Sequence, residues 1–237
     1  MNSGRWITQT ELSICLNEVL AVWINDLRSE FRTRYAINAI LMFAVTTLIT
    51  VSFSIGSFSI NEQDKPFLYP VLLWIILVFS ALSGLSRSFV KEQEAGTMDV
   101  LRLSARASGV FIGKLLFNLT LLTAIEFIIV PLFILLMDYK IEQPFAFTAV
   151  IMSAGFGLGA GATMIGAMIA QASARGPLFS ALCFPLLLPV MIIAVKGCEK
   201  AATGTGLSGW HEAGITGCYA VIMIVVSLFL FPLIWEE

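Results

Sequence analysis

The sequence predicts an all-α membrane protein, with six transmembrane helices preceded by an amphipathic helix at the membrane surface. Of its 237 residues, 58% are hydrophobic and 13% are charged, whereas about 25% are charged in an average soluble domain. A span needs roughly 20 apolar residues to cross about 30 Å of hydrocarbon. Six apolar runs are long enough, at residues 36–56, 67–86, 109–137, 145–170, 178–196 and 214–235.

These runs are predicted to be helices because only helices and closed barrels satisfy every backbone polar group in lipid. They lack the alternating apolar and polar residues of barrel strands. Residues 36–237 therefore form a six-helix transmembrane domain, which leaves no room for a separate soluble catalytic domain. The 14 basic and 16 acidic residues nearly balance, which excludes the basic surface of a nucleic-acid-binding protein.

Before the first run, residues 11–34 carry too many charges to cross a membrane, yet their apolar side chains recur at helical spacing. These are Leu12, Leu16, Val19, Leu20, Trp23, Leu27 and Phe31. Within the cytoplasmic N-terminal segment, residues 1–35, they predict an amphipathic helix on the inner membrane surface. Its end carries Arg28, Glu30, Arg32 and Arg34, and anionic headgroups favour the three arginines there. The alternative is a cytoplasmic helix packed on a partner.

The distribution of Lys and Arg predicts the orientation, because cytoplasmic loops retain positive charge. Ten of these residues lie on the side of the two termini, and only Lys65, Lys140, Lys196 and Lys200 lie on the other. Both termini are therefore predicted to be cytoplasmic.

Glu126 is the only ionisable side chain deep inside a predicted span. It lies 12 residues from both Lys114 and Asp138, which places it near the membrane centre. A bare carboxylate there costs several kcal/mol, so Glu126 is a candidate for a role in transport or subunit coupling. The alternative is a protonated side chain that only hydrogen-bonds across helices.

Two further features concern helix packing. In span four, Gly157 and Gly161 form a GxxxG pair, which favours close packing or, alternatively, a deformable helix that lines a pathway. In span five, Pro185 and Pro189 remove backbone donors, which predicts a kink and carbonyl groups that need partners within the bundle.

The cysteine and histidine residues give no metal motif. The four cysteines include no CxxC pair, and none lies beside a histidine. Cys198 and Cys218 fall on the predicted outer side, where a disulfide is chemically permitted, and the sequence leaves its formation open.

His211, the sole histidine, lies in a predicted outer loop. Imidazole is a common haem ligand, but a lone loop histidine is more often a surface residue.

The loop at residues 87–108, between spans two and three, is the most informative segment. Gly96 interrupts the chain, Thr97 is suited to cap a following helix, and Asp99 suits the positive end of its dipole. Met98 and Leu101 give that helix a short apolar face. A rigid helix held between two spans would transmit a push from a soluble protein to both. The alternative is a solvated loop that only carries positive charge.

At these residues the chain resembles known transporters. The pattern Glu94-x-Gly96-Thr97-Met98-Asp99-x-Leu101 resembles a segment of ABC-2 type exporter permeases whose equivalent loop docks the ATPase subunit. Residues 26–38 and 174–192 resemble the CcmB family, the membrane subunit of the bacterial cytochrome c maturation haem exporter. One departure is Ala105, which stands near where many relatives place a proline after the coupling helix.

This resemblance implies an ABC-2 type permease fold in the bacterial inner membrane and a role in haem export or delivery. The chain lacks the GxxxxGK[ST] loop that binds nucleotide, so the ATPase must be a separate, CcmA-like subunit that binds ATP. The resemblance further implies CcmC-like and CcmD-like partners and no intrinsic cofactor. It leaves open whether haem crosses the permease or ATP-driven motion releases a loaded haem chaperone. The alternatives are an ABC-2 exporter of a lipid, glycan or drug, a membrane scaffold, and an intramembrane enzyme.

Overall fold

The computed structural model describes residues 9–56, 61, 63–85, 89, 92, 96, 106–171, 175–204 and 208–235. In these ranges the chain forms helices and no strands, which confirms the all-α fold. The seven described helices are α1 (Gln9–Thr33), α2 (Tyr35–Gly56), α3 (Lys65–Leu85), α4 (Ala107–Met137), α5 (Pro144–Gln171), α6 (Arg175–Thr203) and α7 (Ser208–Trp235).

Five of the described helices are long and apolar enough to cross a membrane, so the protein is a multi-pass membrane protein. They lie at Ala36–Ile55, Lys65–Leu85, Ala107–Met137, Pro144–Ile169 and Gly209–Leu233. Helix α6, the predicted fifth span, is not among them. Its described side chains begin at Pro185, and the part from there onward carries Lys196, Glu199 and Lys200.

A tight turn joins α1 to α2. Arg34 adopts a left-handed backbone with φ +53°, which ends α1. The carboxylate of Glu30, which is buried, then accepts a hydrogen bond from the Ile37 N–H at 3.0 Å. Glu30 thereby caps the start of α2, which fixes the direction of α1 relative to the membrane bundle.

Helix α5 lies at the centre of the bundle, where it packs against α3, α4, α6 and α7. Its glycines divide between two faces. A Cβ at Gly157 would lie 3.0 Å from the Tyr219 ring, and one at Gly161 would lie 3.1 Å from Leu186. These two glycines therefore face α7 and α6, whereas Gly155 and Gly159 face α4.

At the end of the bundle opposite to α1, aromatic rings and a backbone cap hold the helices together. Tyr69, Phe133, Tyr139 and Phe147 pack edge to face. The turn after α4 donates the Gln143 N–H to the Ala201 carbonyl at 2.9 Å, which satisfies an orphan carbonyl at the end of α6. Cys198 is buried there, with its Sγ 3.5 Å from Trp74 Nε1. Both Cys198 and Cys218 are free thiols.

Candidate functional site

The candidate site is a buried lysine that meets three separate parts of the chain. Lys114, on the second turn of α4, has a side chain only 1% exposed. Its Nζ lies 3.0 Å from Asp26 Oδ2 on α1 and 3.5 Å from Glu92 Oε1 in the loop between α3 and α4. A buried charge is costly unless it is paired, so Lys114 holds both carboxylates close to the bundle.

The loop before α4 is also anchored by an aromatic ring. Phe89 is fully buried, and its ring lies 5.6 Å both from Lys114 Nζ and from the centre of the Phe231 ring. Phe231 in turn lies 5.0 Å from Phe111 and 5.2 Å from Trp235. Phe89 therefore ties this segment to α7 through a tilted ring contact, and Glu92 ties it to α4 through the ion pair with Lys114.

Glycines on α4 bring α1 close enough to make the Asp26 contact. A Cβ at Gly113 would lie 2.7 Å from Val22 Cβ and 3.0 Å from the Val19 carbonyl oxygen. About two turns further along α4, Trp23 Nε1 of α1 donates a hydrogen bond to Thr120 Oγ1 at 3.2 Å. Helix α1 therefore follows the first half of α4 rather than lying apart from the bundle.

Helix α1 presents three faces. One face packs on α4 and carries Val19, Val22, Trp23 and Asp26. A second face is apolar and exposed, with Leu16, Leu20, Ile24 and Phe31. The third face is polar and exposed, with Asn17, Asn25, Arg28 and Arg32. Arg34, at the turn that follows, is exposed as well. A helix at a membrane interface needs apolar and polar faces side by side.

Most of the predicted coupling residues lie outside the described part of the chain. Glu94, Thr97, Met98, Asp99 and Leu101 belong to this group. Gly96 is described, in an exposed turn with φ +67°, a backbone conformation that favours glycine.

The sequence alone does not show that four residues form one site: Lys114, Asp26, Glu92 and Phe89. The available signals were a lysine at the beginning of an apolar run and an aspartate on the amphipathic helix. Neither signal identifies its partner.

Glu126 lies in the middle of α4 and faces α5. Its side chain is 2% exposed, and its Oε1 has no hydrogen-bond partner among the described residues. A Cβ at Gly155 would collide with this same Oε1. The carboxyl group therefore occupies a notch that exists because residue 155 is a glycine.

The proline pair lies on an exposed side of α6, where Pro185 and Pro189 sit within a continuous helix. In the turn before Pro189, the Leu186 carbonyl accepts a hydrogen bond from the Tyr219 hydroxyl of α7. This bond ties α6 to α7 beside the proline pair, but the carbonyl that loses its helical donor to Pro189 is that of Pro185.

His211 lies in the first turn of α7, at the same end as the Tyr139 cluster. It is 76% exposed, and its Nδ1 lies 4.0 Å from Glu212 Oε1. That carboxylate is paired with Lys200 Nζ at 2.6 Å. No group of three or more metal-ligating side chains occurs within the described ranges.

Comparison with known proteins supplies the family. The family model described as "CcmB protein" matches residues 17–234, which is nearly the whole chain. No curated protein matches the chain. The matched range contains α2 to α7 almost entirely, most of α1 and the loop tied to Lys114. The chain belongs to the CcmB family, the permease component of the haem-exporting ABC transporter of cytochrome c maturation.

Proposed function

We propose that this permease is moved by a separate, CcmA-like ATPase subunit that docks on the loop at residues 87–108. The observation that carries the proposal is the Lys114 site, because it joins this loop to both α1 and α4 through ion pairs of 3.0 and 3.5 Å. A displacement of the loop would be transmitted to a membrane helix by these contacts. Glu94, Gly96, Thr97, Met98, Asp99 and Leu101 would meet the ATPase, which binds the ATP.

The proposed topology has six spans, with α6 as the fifth, in an ABC-2 type permease fold. Both termini lie in the cytoplasm, which the ten-to-four distribution of basic residues supports. The bilayer is the bacterial inner membrane, as the family suggests. Helix α1 lies at the inner interface, with its exposed apolar face in lipid. Its arginines Arg28, Arg32 and Arg34 meet anionic headgroups.

The proposed assembly includes haem-handling membrane proteins similar to CcmC and CcmD. Haem is the substrate that is exported or delivered, and the permease holds no cofactor of its own. Glu126 contributes to transport or subunit coupling, and His211 is a candidate haem contact on the outer side. The family match argues against an exporter of lipids, glycans or drugs and against a passive scaffold.

The experiment is gentle solubilisation of the membrane complex through a tag on this chain, followed by identification of the bound subunits and an absorption spectrum. We expect an ATPase to co-purify and haem to be detected. Substitutions Thr97→Ala and Asp99→Asn should reduce ATPase recovery while membrane insertion stays normal. The matched control is Lys140→Met, since Lys140 is exposed at the opposite end. A functional preparation with no nucleotide-hydrolysing subunit would overturn the proposal.

A further inference from the structure

Every carboxylate that the structure describes on α1 is directed at another part of the chain. Glu18 Oε2 accepts a hydrogen bond from the Arg106 N–H at 3.4 Å, directly before α4 begins. Asp26 pairs with Lys114 of α4, and Glu30 caps the start of α2. The inward side of α1 is therefore acidic, and its negative charges are used in contacts within the bundle.

Two of these contacts hold the loop between α3 and α4 at both of its ends. At the end of the loop, Glu18 accepts the backbone N–H of Arg106. Near its beginning, Glu92 shares the ammonium of Lys114 with Asp26. This loop is the proposed docking site of the ATPase, so the position of α1 helps to set the position of that site.

The outward side of α1 is basic instead. Arg28 and Arg32, one turn apart, are exposed, and Arg34 is exposed in the turn that follows. Within the part of the chain that the structure describes, none of these three arginines forms an ion pair. The described acids of α1 do not compensate them, because those carboxylates face inward. Three positive charges are thus available to an anionic partner.

An exposed apolar stripe lies beside these arginines. It consists of Leu16, Leu20, Ile24 and Phe31. At about 3.6 residues per turn, this stripe borders the side of the helix that carries Arg28 and Arg32. The candidate span of α2 begins at Ala36, directly after the turn with Arg34, so this end of α1 lies where a span enters the bilayer. Arginines beside apolar side chains at that level match anionic headgroups above acyl chains, whereas an acidic soluble protein would match the charges alone.

We propose that anionic phospholipid binds this outward face of α1 and that its binding strengthens the docking of the ATPase. Guanidinium groups donate charge-assisted hydrogen bonds to headgroup phosphates, and acyl chains cover the apolar stripe. A ligand that binds one arrangement of a protein stabilises that arrangement, which here is the one in which Glu18 and Asp26 hold the loop. By linkage, lipid and ATPase then favour each other's binding. This inference rests on the proposed function, because the docking partner is the proposed ATPase.

The test compares the Kd of the ATPase subunit for the full-length permease in two kinds of vesicle at constant ionic strength. One contains phosphatidylcholine alone, and the other contains phosphatidylcholine and phosphatidylglycerol in equal amounts. We expect the Kd to be at least about fivefold lower with phosphatidylglycerol, which is the low end of typical coupling between two sites. Retention of phosphatidylglycerol by the permease without the ATPase is measured separately by native mass spectrometry.

Two sets of variants separate the lipid site from its link to the loop. The combined substitutions Arg28→Gln, Arg32→Gln and Arg34→Gln should abolish both lipid retention and the effect of lipid on the Kd. The matched control is Lys140→Gln with Lys196→Gln, two exposed lysines at the opposite end, which should change neither. Glu18→Ala with Asp26→Ala should keep lipid retention but lose the effect on the Kd, because the arginines remain while α1 no longer holds the loop.

An equal Kd in both vesicles for the wild-type chain overturns the inference, and this comparison needs no substitution that could disturb folding. An undiminished effect of lipid in the triple arginine variant also overturns it, because the lipid then acts elsewhere. Lack of lipid retention by the wild type, with a protein held on this face instead, assigns the face to that protein and overturns the lipid site. Absence of ATPase binding in either vesicle contradicts the proposed function, whereas lipid retention still tests the face of α1 by itself.

Discussion

Lys114 Nζ lies 3.0 Å from Asp26 Oδ2, and this contact links α1 to the beginning of α4. Glu92 approaches the same Nζ from the loop that precedes α4. One buried ammonium therefore fixes the relative positions of α1, the loop and α4.

The fit of α1 on α4 depends on Gly113. Replacing it with alanine puts a Cβ 2.7 Å from Val22 Cβ and 3.0 Å from a backbone carbonyl, so α1 must shift away. We expect Gly113→Ala to destabilise the protein by about 1–3 kcal/mol, as overpacking typically does, and to lower c-type cytochrome production. Thermal unfolding in detergent and haem staining measure the two effects. Gly214→Ala is the control, because nothing lies within 4 Å of its Cβ; equal behaviour of the two variants would contradict the packing.

Gly96 tests whether the turn in the loop matters for ATPase binding. Its φ of +67° disfavours other residues, although its Cβ would meet nothing within 4 Å. Gly96→Ala should therefore act through backbone strain of about 1–2 kcal/mol and lower the recovery of the ATPase on purification. Asparagine tolerates this conformation better, so Gly96→Asn should retain more ATPase. Equal recovery in both variants and in the wild type would count against the turn.

The notch at Gly155 predicts a specific rescue. Gly155→Ala drives a methyl group into Glu126 and should lower both stability and cytochrome production. Glu126→Ala empties the notch, so the double variant should recover most of the thermal stability of the Glu126→Ala parent. Production should stay low in Glu126→Leu, where the carboxyl group is lost. Gly217→Ala, whose Cβ would meet only Ser153 Cβ at 3.9 Å, is the control, and additive losses in the double variant would contradict the notch.

Cys198 follows the predicted end of span five and should resist alkylation. Burial raises the pKa of its thiol from 9.0 to about 12, although the hydrogen bond from Trp74 lowers it in part. N-ethylmaleimide reacts with thiolates, so Cys198 should stay unlabelled at pH 8 in the folded protein and become labelled after unfolding. The unfolded thiol ionises near its ordinary value while the folded one stays neutral. The free energy of unfolding should therefore fall as the pH rises from about 9 to about 12, and rapid native labelling of Cys198 would contradict its burial.

Hydrophobicity is a local property, which is why the apolar runs were enough to predict α2, α3, α4, α5 and α7 as membrane-spanning candidates. Spacing along the chain also placed Glu126 at the centre of α4. Spacing along the chain does not predict the register between two helices. The contact between Glu126 and Gly155 depends on how two distant segments pack together. That Glu126 Oε1 has no hydrogen-bond partner among the described residues is likewise visible only in three dimensions.

The amphipathic helix shows the same limit. Helical spacing put Leu16, Val19, Leu20 and Trp23 on a single apolar stripe. In the structure this stripe divides, since Val19 and Trp23 pack on α4 while Leu16 and Leu20 remain exposed. Periodicity identifies apolar positions but does not say which neighbour covers them. For the same reason the sequence did not pair Asp26 with Lys114.

The most direct test of the account is Lys114→Met, measured for ATPase recovery and for c-type cytochrome production at equal membrane abundance. Removing one partner of a buried ion pair typically lowers the free energy of unfolding by about 3–5 kcal/mol. We expect Lys114→Met to lie at the lower end of this range, because Glu92 is partly exposed. Lys114→Arg keeps the charge, and Lys140→Met is the surface control. We predict that the methionine variant still binds the ATPase but produces little cytochrome, while the arginine variant retains part of the output. Full cytochrome production by Lys114→Met would contradict the account.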